Sequence, residues 1–512
     1  MSPKKPETVT EPVKPVSQMI AQFKAARRVS TPLVALETPD PAATVLSVRE
    51  VLNGESPTFE WDIVRGLRGV NELGKQVAAQ KNITPEATIN LVTALEIADG
   101  LPAKSALFVH NAHRHLNDVQ VVQALWNLRD TYKRNRRTVI LLGPSFQLPS
   151  ELAGDVVVLD EPLPTRAELA TILEQQHTNA NLPQPSGDVA TAALDAIVGL
   201  PAFTAEQVVA MALRQTGIDL PALWERKRKA IQNTQGLRVW TGDASLDDLC
   251  GIDNVKDFAR ELIDAKAFGA IVFIDEADKA LAGGMSDHSG DSGVSKDQIG
   301  QILSFIEDGG HLGMLLAGVA GCGKTQLAKA IAQESGKPLI VFDIGGMKGG
   351  VVGQSEQSIR EALKVVTATA EGRVLFIMTA NRTTSFSPEL NRRFPDQFFF
   401  DLPDAEGREA IWRVYVKKYN LSSVQAHRPA GFGTGWTGAE IKRACERAAL
   451  FGRTVVDAAK FIVPLAGSAK NAIAGLRSEA AGRFLSAAKP GFYMPPSDGD
   501  ELPSAGRQFD VE

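Results

Sequence analysis

The sequence predicts a mixed α/β protein made of two successive units, the second built on a parallel sheet and ending in helices. Three observations carry this. Short apolar runs of strand length alternate with amphipathic helical stretches through both halves. The same series of strand and turn signals occurs twice, in the same order. A glycine-rich loop in the second half joins an apolar strand directly to a helix.

Composition narrows the classes. With 512 residues, 44% of them hydrophobic and 22% charged, the chain can bury two or three ordinary cores. Its net charge is −5 and its lysines and arginines are scattered, so a nucleic-acid partner is not favoured. Cys250, Cys322 and Cys445 are widely spaced and form no CxxC pair, which suits a reducing compartment and argues against a disulfide framework or zinc site. No apolar run reaches the roughly 18–20 residues of a membrane span, and the first residues carry charges without a following apolar stretch. No membrane span and a cytoplasmic location are therefore expected.

Taken in order, residues 1–30 mix Pro, Lys, Glu, Thr and Val with little pattern and read as a flexible tail. Residues 31–232 form the first α/β unit. A short link near Thr234 leads to the second, with its sheet core in 233–404 and a helical end in 405–485. Residues 486–512, rich in Pro, Gly, Ser and acidic groups, read as a second loose tail.

The repeat is legible in four places. The run from Leu107 to Leu116 (Leu-Phe-Val-His-Asn-Ala-His-Arg-His-Leu) matches the run from Val272 to Leu281 (Val-Phe-Ile-Asp-Glu-Ala-Asp-Lys-Ala-Leu) position for position, but its first copy has no carboxylates. Thr138–Gly143 parallels Val374–Thr379, and Val156–Leu159 parallels Phe398–Phe400 as a closing strand. Helical stretches starting at Thr204 and Thr437 complete the parallel. Four matches in one order point to a duplicated or recruited unit.

The chemistry concentrates in the second copy. Gly318, Gly321, Cys322, Gly323, Lys324 and Thr325 lie in a GxxxxGKT loop between the apolar strand Met314–Ala317 and the helix that begins at Gln326, the context a P-loop requires. Its glycines let backbone N–H groups face phosphates, Lys324 is placed for the β- and γ-phosphates, and the Thr325 hydroxyl for a magnesium ion. The apolar run Ile271–Ile274 ends in Asp275, placed to orient Mg²⁺ through water, and Glu276, placed to polarise an attacking water. The strand from Val374 ends at Asn381, an amide that can position that water. Arg392 and Arg393, just before the strand at Gln397, suit arginine fingers reaching a neighbouring subunit.

Together these motifs resemble the AAA subfamily of AAA+ ATPases, with the helical lid ending around Thr437–Leu450. The span from about 40 to 485 is similar to AAA ATPases of cyanobacterial and algal plastid genomes, which carry a degenerate ATPase-like N-terminal region; the run Phe108–His113 and Leu148–Leu152 carry that resemblance. The resemblance implies ATP and Mg²⁺ as cofactors, a ring of identical subunits, most often six, and a protein client that the sequence does not identify. It places Gly251 and Ile252, in the run Asp247–Asp253, beside the adenine, and adds Gln326 to the nucleotide contacts. An ATP-dependent assembly switch or scaffold with slow turnover is the alternative function.

One departure concerns order. In the family the acidic strand follows the P-loop, whereas here Asp275 and Glu276 come about fifty residues before Lys324, and nothing acidic fills the usual slot. In the first copy the corresponding strand, emptied of carboxylates, keeps the usual position. With the family's sheet order of 5-1-4-3-2, the rearranged path 3→1→2→4→5 keeps right-handed crossovers, so the sheet can still close. Since catalytic geometry depends on space rather than chain order, an intact site is expected.

Four further features have simpler readings. Met347 and Lys348 occupy a glycine-rich stretch where the family has its central-pore loop, but no aromatic residue accompanies them. His110, His113 and His115 have poor spacing for a metal site. Cys322 reads as a small packing residue, and Gly284–Gly293 as a glycine- and serine-rich loop.

Overall fold

The computed structural model describes residues 18–496 apart from positions 53, 233, 235, 279–291, 345–353, 371 and 383–387. Met347, Lys348 and residues 284–291 therefore lie outside the described residues. Packing divides the chain into two compact units, residues 1–172 with 201–207, and residues 173–200 with 208–512. The division does not fall at 232, because the helix Leu220–Gln232 buries Ile231 in the second unit's core beside Leu237.

In the first unit, strands β1 (Leu33–Glu37), β2 (Thr58–Asp62), β3 (Gly66–Gly69), β4 (Ala106–Val109), β5 (Thr138–Gly143) and β6 (Val156–Asp160) form one sheet in the order β3-β2-β4-β5-β1-β6. All neighbours are parallel except β2 and β3. The central strands are buried on both faces, which is why β4 and β5 read as unbroken apolar runs rather than alternating ones. The expected N-terminal tail is shorter than 30 residues: Gln18–Arg28 is a helix that buries Met19 and Phe23 against Val34, Leu36 and Ile140.

The second unit contains a two-stranded hairpin, β7 (Leu213–Arg214) with β8 (Gly217–Ile218), and a seven-stranded sheet. Its strands are β9 (Leu237–Val239), β10 (Ala270–Ile274), β11 (Leu312–Gly318), β12 (Leu339–Phe342), β13 (Val374–Ala380), β14 (Asp396–Phe400) and β15 (Leu485–Ser486), in the order β15-β14-β11-β13-β10-β12-β9. Only β9 runs antiparallel to its neighbour. Apolar clusters cover both faces. Helices Ala405–Lys418, Gly438–Phe451 and Val455–Ala459 enclose a separate core around Trp412, Trp436 and Ile441.

Laid side by side, the two sheets share one lateral order. β2, β4, β5, β1 and β6 take the places that β12, β10, β13, β11 and β14 take in the second. Chain order differs at one strand: β4 follows β1, whereas β10 precedes β11. The turns after the matched strands agree as well, with Asn111 at φ 52 and Glu276 at φ 50, a left-handed conformation uncommon outside glycine.

The segment expected to start a loose tail at 486 is part of the fold up to Pro496. Ser486 pairs with Phe399, Ala487 is buried, and the Tyr493 ring lies 4.4 Å from that of Phe399. Apolar side chains spaced through the Pro- and Ser-rich run, which its average composition hides, hold it to the sheet.

Candidate functional site

The site lies at the carboxyl ends of the parallel strands, where β11 turns into the helix Lys324–Ser335. Glycine is required along this turn. Gly318 has φ 131, and a Cβ there would come within 2.2 Å of the Phe400 carbonyl oxygen of the adjacent strand. Gly321 and Gly323 also have positive φ, at 82 and 103. The loop thereby presents its backbone at a helix N-terminus, an arrangement suited to an anion.

Lys324 is 7% exposed and donates from Nζ to the carbonyls of Gly318 at 2.7 Å and Val319 at 2.9 Å. Burial pulls its ammonium down to about 8. Burial has the opposite sign for the Cys322 thiol, pushed up to about 12, so this cysteine stays a thiol at neutral pH and is no nucleophile.

β10 lies between β13 and β12, and this slot carries its two carboxylates to the loop. Asp275 precedes Thr325 by 50 positions, yet its Oδ1 is 3.5 Å from Thr325 Oγ1. Thr379 of β13 holds the pair: its hydroxyl donates to Asp275 Oδ1 at 2.5 Å and accepts from the Glu276 amide at 2.9 Å. That second bond anchors the left-handed turn at Glu276. The buried Asp278 accepts from the Asn381 amide at 3.3 Å, tying the end of β13 to the same turn. Thr379 and Asp278 were not singled out by sequence, although a threonine two residues before Asn381 and an acid two residues after Glu276 were visible there.

A cavity of about 330 Å³ opens over these groups. Its polar end holds Lys324, Thr325, Asp275, Glu276 and Asn381, and its apolar end Leu249, Ile252 and Ile411, with Gly251, Gly321, Cys322, Gly323 and Gln326 also in its wall. Gly318 does not line it. On the lid side, the Ala439 amide donates to Gly321 O at 3.1 Å at the start of the helix Gly438–Phe451. A buried capping box of Thr437 and Glu440 fixes that helix start. The Thr325 and Asp275 oxygens, 3.5 Å apart, fit a magnesium ion bound by one hydroxyl directly and by the carboxylate through water.

The two arginines stand apart from the cavity. Arg393, 11% exposed, bonds Glu307 through Nη2 at 2.7 Å, while Arg392, 80% exposed, reaches the same carboxylate at 3.3 Å. Among the histidines, His110 Nε2 is 3.5 Å from Glu60, and burial lowers His113 and His115, favouring neutral rings. In the first unit the turn after β1 has no glycine loop. Glu161 closes it, accepting from the Thr38 hydroxyl and from Thr44 Oγ1 at 2.6 Å.

Residues 19–161 match the family model of the SpoVK-like AAA ATPase N-terminal domain, and residues 314–377 that of the ATPase family associated with various cellular activities. The second match begins in β11, so β10 lies ahead of it. An uncharacterized AAA domain-containing protein, ycf46, of Guillardia theta is 23% identical over 455 residues, 79% of this chain and 81% of that protein. Its counterpart in Trieres chinensis is 25% identical over 437 residues, covering 75% and 79%. The ATP-dependent zinc metalloprotease FtsH of Haemophilus influenzae is 27% identical over 216 residues, 31% of this chain and 34% of that protein. Among the described residues, no helix is long and apolar enough to cross a membrane.

Proposed function

The chain carries AAA ATPase family domains, and we propose that its second unit binds Mg-ATP over the Gly318–Thr325 loop and hydrolyses it within a ring of identical subunits, hexameric by family resemblance, to remodel a protein partner. The observation that carries this reading is the meeting of Asp275 with Thr325, brought from 50 positions away by the slot of β10, with Glu276 in the wall of the same cavity.

In this reading Lys324 leaves the carbonyls of its own loop for the β- and γ-phosphates, and Thr325 and Asp275 hold Mg²⁺, which neutralises phosphate charge when bound. Glu276 accepts a hydrogen bond from the attacking water, and Asn381 orients it. Gly251 and Ile252 flank the adenine at the apolar end, and Gln326 follows the phosphates into the helix. Arg392 and Arg393 act on the site of the neighbouring subunit. Turnover per subunit then rises with protein concentration as the ring assembles. A rate independent of concentration across the monomer-to-oligomer range, followed by light scattering, would count against the ring.

The buried ammonium adds a pH signature. Phosphate favours charged Lys324, so binding takes up a proton once the free side chain, at about 8, has begun to lose its own. ATP affinity is therefore level below pH 8 and falls above it, by at most about tenfold per unit. Calorimetric titrations from pH 7 to 9.5 check this, and a flat profile removes Lys324 from the phosphates.

A further inference from the structure

The hairpin 482–493 has no part in the reading above, yet it bonds Asn254 and Val255, just after the cavity residues Gly251 and Ile252, and the cavity residue Asp401. It is closed by Ser486 N donating to Gly491 O at 2.9 Å, Tyr493 N to Phe484 O at 2.8 Å and Gly482 N to Tyr493 O at 3.0 Å. Its first arm is β15, on the edge of the sheet beside β14.

Three carbonyls of this arm serve another element. Asn254 donates from Nδ2 to Ser486 O at 2.6 Å and from its amide to Ala488 O at 3.4 Å, and the Val255 amide donates to Ala487 O at 3.1 Å. These amides belong to the first turn of the helix Asp253–Asp264. A helix leaves its first amides without partners of its own, and this one begins after Ile252, whose side chain cannot cap. The cap comes instead from a segment 232 positions further along the chain.

The second arm holds Asp401. Tyr493 OH donates to Asp401 Oδ2 at 2.7 Å and Arg477 Nε to Oδ1 at 2.9 Å, so both carboxylate oxygens are engaged. Asp401 lines the cavity, as do Gly251 and Ile252, which run directly into the capped helix. Gly251 packs closely on the lid, since a Cβ there would lie 3.3 Å from Gly407 Cα.

The phosphate loop and its carboxylates are carried by β10, β11 and β13, whereas Gly251 and Ile252 run into the helix that this hairpin caps, and Asp401 accepts from its Tyr493. We infer that residues 482–493 are a strap that positions the base-binding wall, with Asn254 and Tyr493 as positioning residues that set affinity for the adenine base without touching the nucleotide. The inference rests on the ATP reading.

The full chain is tested with Asn254→Asp and Tyr493→Phe, singly and together. Asn254→Asp keeps the side-chain size and suits a helix first turn but sets a carboxylate oxygen against Ser486 O. Calorimetry measures binding of ADP and of inorganic tripolyphosphate, each with Mg²⁺, and thermal unfolding verifies that the variants fold. The double variant is expected to bind ADP about tenfold more weakly while tripolyphosphate binding changes less than about twofold, a loss on the scale of one or two hydrogen bonds. Equal losses for both probes, or none for either, overturn the strap alone. A wild-type chain that binds neither overturns the nucleotide reading and the strap with it.

Discussion

Glu276→Gln lowers ATP turnover by about 10²–10⁴-fold, the range a positioned general base supplies, while ATP affinity stays close to wild type. The amide has the size of the carboxylate and leaves the Glu276 backbone bond to Thr379 in place, so the left-handed turn persists. It cannot take a proton from water. The readouts are phosphate release and ATP binding measured on one preparation. Retained turnover would place the base elsewhere and remove the main support for β10 as the catalytic strand. Loss of binding together with turnover would mean that the residue acts through the fold of the turn.

Arg392→Ala lowers turnover by about 10³-fold or more if its guanidinium acts as a finger on the neighbouring subunit. Of the two arginines, Arg392 is the one with most of its side chain exposed; Arg393 is largely covered and paired with Glu307. Arg393→Ala is therefore expected to lower the melting temperature as well as the rate, whereas Arg392→Ala lowers only the rate. Mixing separates action in trans from action in cis. An Arg392→Ala subunit keeps an intact loop, and a Lys324→Ala subunit keeps its arginine, so two silent variants together regain part of the activity. If the mixture stays silent while size-exclusion chromatography shows mixed assemblies, Arg392 is not acting across the interface.

The loop and the acidic strand were legible because each is a local statement. Positive φ at Gly321 and Gly323 has to be met by glycine where it occurs, and a strand buried on both faces has to be apolar along its length, as β10 is. The partnership of Thr379 with Asp275 is a contact across 104 positions between parallel neighbours, with no mark in either segment beyond ordinary residue types. The expectation of a tail from residue 486 fails over 486–496 because composition averages over residues, while Ala487 and Tyr493 act singly, each filling a place on the sheet edge.

What the sequence determined by itself was the set of parts: a phosphate-type loop between strand and helix, a strand ending in two carboxylates, a lid, and an earlier unit with four matching strand and helix signals but no phosphate loop or paired acids. Those follow from backbone geometry and burial within short windows, which consecutive residues specify. Only the tertiary structure decided that β10 takes the slot between β13 and β12 despite preceding β11, and that a segment near residue 487 caps the helix beginning at Asp253. Lateral order in a parallel sheet and the capping of a helix by distant carbonyls depend on hydrogen bonds between backbones, and backbone donors and acceptors are the same at every residue but proline.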